Sequence, residues 1–422
     1  MHGRASVDSS VRSATLGVSF QNHRILHPLR NSILAELKNQ HFVPKVHLRA
    51  FSDDPGTEKR MINLIHVRSG RAIQCASISG QCAKHYFYGK DLHLERALNT
   101  LEGKYAEYVR SIEGGSRSTN LLSFMRGWTY LQYQRTDAAR RRAKELHAQM
   151  DAAIDDPNWR VDMSDEALVV QSMKMFAETV DVVEDLRTVI IENTSDDDFI
   201  TSDEPAIVFN KWIHQKRNLD TFGLGSSGLC LYMPITPRLG VLSYDSNVYD
   251  VGRRNNSIRV RDGREVTLLN ALLMRSNAVN IYFRNWADRE TISEHLRAEL
   301  PFRTGGSRTT LMVPLDGQPG SYRKITEDED KNDFPKSFIY TEAVFPRPPR
   351  WFDFLKNKAR PVVFENGTAV GPVRKRNWLD ELPGFRNSPP PWASQKKLPL
   401  PGLPGNPLQG DTNQALESRR RS

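Results

Sequence analysis

A short run near residue 40 holds the residue types that chemistry needs. His41 leads the apolar pair Phe42-Val43, and Lys45, His47 and Arg49 follow within eight positions. An imidazole can move protons near neutral pH, and a guanidinium can fix a phosphate or carboxylate through paired donors. Pro44 biases Val43 toward an extended backbone. Strand alternation would then place His41, Val43 and Lys45 on one face. The competing reading is a hydrogen-bonded structural histidine, with Arg49 tied to backbone carbonyls.

Two further places set polar residues on apolar faces. Gln132 lies four residues after Trp128, and Arg135 three after Gln132, which puts both beside a buried helical stripe. A buried guanidinium needs acceptors or an anion. Glu102, four after Leu98 on the preceding stripe, is the expected partner. A structural Arg–Glu pair and a phosphate site both fit this pattern. Phe199-Ile200-Thr201-Ser202-Asp203-Glu204-Pro205 delivers Asp203 from a strand to a turn. Carboxylates there serve metal and hydrolase sites, and equally serve as turn caps. The candidate catalytic groups are thus His41, Glu102 and Asp203, with Asp203 as the metal ligand if a divalent metal is used. Arg49, Gln132 and Arg135 are the candidate substrate-binding groups.

The elements that must position these groups are legible in outline. Met61 to Val67 and Ala72 to Ser77 flank Arg68-Ser69-Gly70-Arg71 as a hairpin. Helical stripes run through Leu94–Ile112 and from about Asn120 through Leu131. Thr136 is placed to cap a charged helix through Arg140-Arg141-Arg142. A long helix starts near Ser164 and carries its stripe to Leu186. Short β-branched or aromatic runs then read as strands at Thr188–Glu192, Phe199–Ser202, Ala206–Phe209, Leu229–Met233 and Gly240–Tyr244. Val266 to Met274 returns to helix. Strands and helices without strict alternation indicate an α+β fold, with a central helical segment on a mixed or antiparallel sheet.

The totals bound the rest. The chain has 422 residues, 38% of them hydrophobic, and its mean hydropathy is −0.55. That polarity implies that part of the chain is not packed. Residues 1–38 read as a partly helical leader and 39–290 as one globular domain. Residues 291–385 read as a basic, loosely ordered extension, and 386–422 as a disordered Pro/Arg-rich tail. From Lys331 onward there are 16 Lys+Arg against 8 Asp+Glu, which is +8 of the total net charge of +9. Such a tail can attract nucleic acid, and its proline runs suit a protein partner. Cys75, Cys82 and Cys230 have no metal-ligand spacing and read as free thiols. No stretch approaches the roughly 18 apolar residues of a membrane span. No secretory h-region opens the chain, so a cytoplasmic location is expected. Phosphate-loop, GxGxxG, GxSxG and HExxH motifs are missing.

Taken in order, the blocks resemble the family termed domain of unknown function 4238. Gln40-His41-Phe42-Val43-Pro44-Lys45, with Leu48-Arg49 and Phe51, is similar to its leading HYVP-basic motif. Ser77-Ile78 and Ala83-Lys84-His85-Tyr86-Phe87-Tyr88 match its second block. Glu102 falls at its acidic helix position and Gln132 to Thr136 in its Q-x-x-R-T block. Phe199 to Pro205 resembles FITSD-x-P, Met233-Pro234-Ile235-Thr236-Pro237-Arg238 resembles PLSPR, and Asn270 matches a later asparagine. Phe42 and Thr236 depart from the commoner tyrosine and serine. The resemblance covers about residues 39 to 285. It implies a mostly prokaryotic, intracellular group, some of it near antiviral loci, with no agreed reaction. A defence-type effector that hydrolyses or binds nucleic acid is the expectation. A non-catalytic sensor or interaction module held by an Arg/Glu/His network is the alternative.

Overall fold

The computed structural model describes residues 38–53, 61–90, 92–154, 163–304, 306–314, 322–334, 337–365 and 371–381. The expected leader helix and the Pro-rich tail lie outside these residues. Among the described residues the first elements are strand β1 (Asn39–His41), helix α1 (Lys45–Arg49), β2 (Met61–His66), β3 (Arg71–Ser77) and β4 (Ala83–His85). Four helices follow: α2 (His93–Glu113), α3 (Thr119–Arg135), α4 (Asp137–Ile154) and α5 (Asp165–Thr179). Then come β5 (Arg187–Asn193), β6 (Thr201–Ser202), β7 (Ile207–Phe209), α6 (Lys211–Arg217), β8 (Cys230–Thr236) and β9 (Leu239–Tyr244). After β10 (Tyr249–Asp250) and β11 (Ser257–Val260) come α7 (Gly263–Met274) and β12 (Asn280–Phe283).

The architecture is α+β. A five-stranded sheet has the order β11-β5-β9-β8-β7, antiparallel except for the β11–β5 pair. A four-stranded antiparallel sheet has the order β3-β2-β12-β6, and β1 pairs with β4 alone. Strands β5, β8 and β9 are buried nearly throughout, so they read as continuous apolar runs rather than alternating ones. Helices α2, α3 and α5 lay their stripes on this layer. Leu98, Tyr105, Met125, Trp128 and Val169 share one core with Val189, Tyr232 and Leu242.

Local signals set the helix starts. Ser164 Oγ accepts from the Ala167 N–H at 3.2 Å, and Thr136 Oγ1 accepts from the Ala139 N–H at 3.3 Å. The α5 stripe does not run on to Leu186: the helix stops at Thr179 and passes through a 3-10 turn at Val180–Val183. The segment after His41 also departs from expectation. It turns at Pro44 into α1 rather than continuing extended. Proline at a helix start loses no needed donor and presets the backbone.

The region beyond residue 290, expected to be loosely ordered, carries regular elements. These are α8 (Arg289–Glu299), β13 (Ser307–Pro314), β14 (Tyr322–Lys324), β15 (Phe338–Ala343), β16 (Lys356–Asn357) and a last turn, α9 (Trp378–Glu381). Two of its arginines are anchors rather than solvated charge. Arg303 donates to the carbonyls of Ser276 and Ala278. The Arg374 side chain is fully buried and bonds Asp185 and the carbonyls of Val182, Leu224 and Ser226. A guanidinium supplies five donors in a fixed fork, which suits it to collecting such carbonyls. Charge composition alone does not distinguish that use from a solvated tail.

Candidate functional site

The first turn of the chain's fold creates the site. Pro44 starts α1, so Lys45 and Arg49 stand four residues apart on one helix face. They line a cleft of about 470 Å³ with Asn39, His41 and Val46. The opposite wall is α2, through Glu95, Asn99, Glu102, Gly103 and Ala106, which share the face set by steps of three and four residues. His47 points the other way. Its Nδ1 lies 2.9 Å from Tyr105 Oη and its Nε2 lies 2.8 Å from Thr201 Oγ1.

Arg135 comes in from behind. Its side chain is 0% exposed and that of Glu102 is 20%. Nη2 donates to Glu102 Oε1 and to the His41 carbonyl, both at 2.8 Å, and Nε donates to Tyr88 Oη at 2.9 Å. The guanidinium carbon also sits 5.9 Å from the Trp128 ring. The expected Arg135–Glu102 pair is therefore present, and it braces β1 against α2 and α3.

Several buried polar atoms here have no protein partner. They are His41 Nε2, Glu95 Oε2, Trp128 Nε1, both amide atoms of Gln132, and Arg135 Nη1. Gln132 is only 1% exposed. Buried polar atoms are nearly always hydrogen-bonded, and each one left alone costs on the order of 1–3 kcal/mol. Elsewhere among the described residues such atoms occur singly, at Ser227, Tyr232 and Thr304.

The charge states follow from burial. Burial, followed by repulsion from Glu102, pushes the Glu95 carboxyl up to about 7, with Arg135 and Lys45 pulling the other way. Burial, followed by Lys45, holds His41 down at about 4. At neutral pH the site thus holds a carboxyl that still carries a proton part of the time and an imidazole that is neutral. Lys45 and Arg49 face Glu95 and Glu102 across the cleft, and Arg135 pairs with Glu102 from behind.

His41, Arg49 and Glu102 meet at this cleft, with Arg135 behind them and Gln132 one turn earlier on the same helix face. Asp203 does not join them. Its Oδ1 accepts from the Val279 and Asn280 N–H groups at 2.8 and 2.9 Å, tying the β6 turn to β12. Burial pushes it up to about 6, and the two N–H bonds oppose that. Glu204 beside it pairs with Arg142 and accepts from the Asn277 N–H. Asn270 holds the same segment through Ile200 N and the Asp198 carbonyl. Among the described residues no three His, Cys, Asp or Glu side chains form a group that could hold a metal. Asp203→Ala should therefore cost about 1–3 kcal/mol in urea unfolding while ligand binding at the cleft is retained.

Glu95 and Lys45 were not among the sequence candidates for the site. The spacing of 95, 99, 102 and 106 on one helix carried the signal for Glu95. Strand alternation already put Lys45 on the face of His41, but in the structure it reaches the cleft from the first turn of α1.

His47 gives a pH signature. Burial lowers it to about 3 from an ordinary 6.5. The folded state therefore prefers the neutral ring, and this contribution is present above pH 6.5 and lost as pH falls toward 3. His47→Gln should flatten the acid limb of a stability–pH curve by up to about 1.4 kcal/mol per pH unit, measured by denaturant titration.

Fold and site together define an α+β domain with a cleft lined by His41, Lys45, Arg49, Glu95 and Glu102. The chain belongs to the family described as protein of unknown function (DUF4238), which matches residues 39–286. No curated protein and no solved structure matches it. Among the described residues, no helix is long and apolar enough to cross a membrane.

Proposed function

We propose that the cleft between α1 and α2 binds a phosphodiester of a nucleic-acid strand or nucleotide and hydrolyses it. The carrying observation is that two buried, unpartnered polar atoms, His41 Nε2 and Glu95 Oε2, belong to the lining of one cleft that also holds Lys45 and Arg49, with Arg135 Nη1 behind it. Lys45, Arg49 and Arg135 supply positive potential for a phosphate. Glu95 and His41 are pushed apart in acidity, which is how acid and base roles divide. In this reading water attacks phosphorus and passes a proton to His41 Nε2. The P–O ester bond breaks, and Glu95 gives its proton to the departing oxygen. Solvent then restores both groups. Glu102 and Arg135 hold the walls and act as positioning residues.

The test uses the full chain with RNA, single- and double-stranded DNA and nucleotides, with and without divalent ions. Cleavage should fall at least 100-fold in His41→Asn. Cleavage unchanged in both His41→Asn and Glu95→Gln, or no binding of any phosphate ligand, would overturn the reading.

The closed Arg135–Glu102–Tyr88 arrangement favours a second reading, a non-catalytic module in which these groups only fasten helices to strands. It predicts that every variant of the cleft loses stability and none loses a separable activity.

A further inference from the structure

A second hollow, of about 580 Å³, lies on the other side of the α3–α4 junction, between α4, α5 and the β13–β15 sheet. Its chemistry is the reverse of the first cleft. The polar groups on its walls are engaged: Gln134 Nε2 donates to Tyr130 Oη at 3.1 Å, and Thr221 Oγ1 donates to Glu342 at 2.9 Å. Its two arginines are neutralised, Arg142 by Glu204 and Arg217 by Glu365. What remains is aromatic and aliphatic. Phe222 and Phe345 stack with centroids 4.2 Å apart and planes at 20°, and the Tyr133 ring lies 6.4 Å from Phe345. Met175 and Leu219 stand 46% and 40% exposed at its edge.

We propose that this hollow is a binding site for an uncharged, flat, ring-bearing small molecule. The volume falls in the range of small-molecule sites, roughly 300–1,000 Å³. An anionic ligand would find both arginines already paired, and would have to be desolvated without compensation, while the Glu342 carboxylate is already held by Thr221 Oγ1. Tyr133, Phe222 and Phe345 all line the hollow, so a ring-bearing partner meets aromatic surface. Tyr133 and Gln134 reach this hollow from the same helical turn that sends Arg135 to Glu102 of the first cleft. The inference stands apart from the phosphodiester reading.

N-phenyl-1-naphthylamine, a neutral fused-ring fluorophore, is the probe. Titrated with the full chain, it should brighten saturably with one site per chain at micromolar concentration. Ala143→Trp, which fills the hollow from a half-buried helix position, should weaken binding at least tenfold. Leu219→Asp, at the exposed edge, should weaken it without touching the core. His41→Asn should leave it unchanged, which separates this result from the fate of the first cleft. Non-saturable brightening, or equal affinity in Ala143→Trp and Leu219→Asp, would overturn the proposal. So would displacement of the probe by 1-decanol at lower concentration than by naphthalene, which would mark an aliphatic site. Loss of probe binding as the chain dimerises would mark the hollow as an interface and overturn it too.

Discussion

Arg135→Ala is expected to destabilise the protein by about 3–5 kcal/mol, the cost of breaking a buried ion pair by removing one partner. The guanidinium has no exposure and serves three acceptors, on α2, on β1 and on the Tyr88 ring. Its removal leaves the His41 carbonyl and Tyr88 Oη with only the long bonds that Tyr88 Oη makes to the His41 and Arg135 carbonyls, at 3.4 and 3.3 Å, and leaves Glu102 facing Glu95. Arg135→Lys should recover little, because one ammonium cannot reproduce a planar fork. Urea unfolding with far-UV circular dichroism measures this directly. A double-mutant cycle with Glu102→Gln should show coupling of at least 1 kcal/mol. A loss below about 1 kcal/mol for Arg135→Ala would mean that the network does not brace the fold.

Glu95→Gln should move activity and stability in opposite directions. The folded-state value near 7 lies above the unfolded value of 4.5. The folded chain therefore holds this proton more tightly, and the resulting stability is lost as pH rises through 7. An amide cannot ionise, so the variant should be more stable than the parent at pH 8 by on the order of 1–3 kcal/mol. Near pH 4.5 the two should be nearly equal. If Glu95 is the proton donor, hydrolysis should fall at least 100-fold in the same variant. The parent's activity should decline above pH 7 as the carboxyl ionises. Gain of stability with loss of activity is the signature of a group kept at a cost for function. Thermal denaturation at two pH values, beside a cleavage assay, measures both. Loss of stability at pH 8 would show that Glu95 is a structural acid instead.

Much of the framework was legible because it depends on near neighbours. The 3.6-residue stripes of α2 and α3, the hydroxyls that cap α4 and α5, and the hairpin of β2 and β3 all follow from residues a few positions apart. So did the Arg135–Glu102 pair: a cation on an apolar face demands a counter-charge, and the adjoining helix offered one. The reading of Asp203 as a site residue failed to bring it to the cleft, because a carboxylate at a strand end has the same local pattern whether it faces a ligand or two backbone N–H groups.

The sequence by itself determined the stripes of α2 and α3, the start of α5 and the β2–β3 hairpin, since periodicity and capping act over one or two turns of chain. It also determined that His41, Arg49, Glu102 and Arg135 needed polar company, because desolvation is costly wherever burial occurs. Only the tertiary structure decided that Lys45 and Glu95 join them and that Asp203 does not. It alone decided that Arg303 and Arg374 anchor the region beyond 290 onto the body. Those outcomes depend on which distant segments pack together, and that is settled by the summed burial of the whole core rather than by any local pattern.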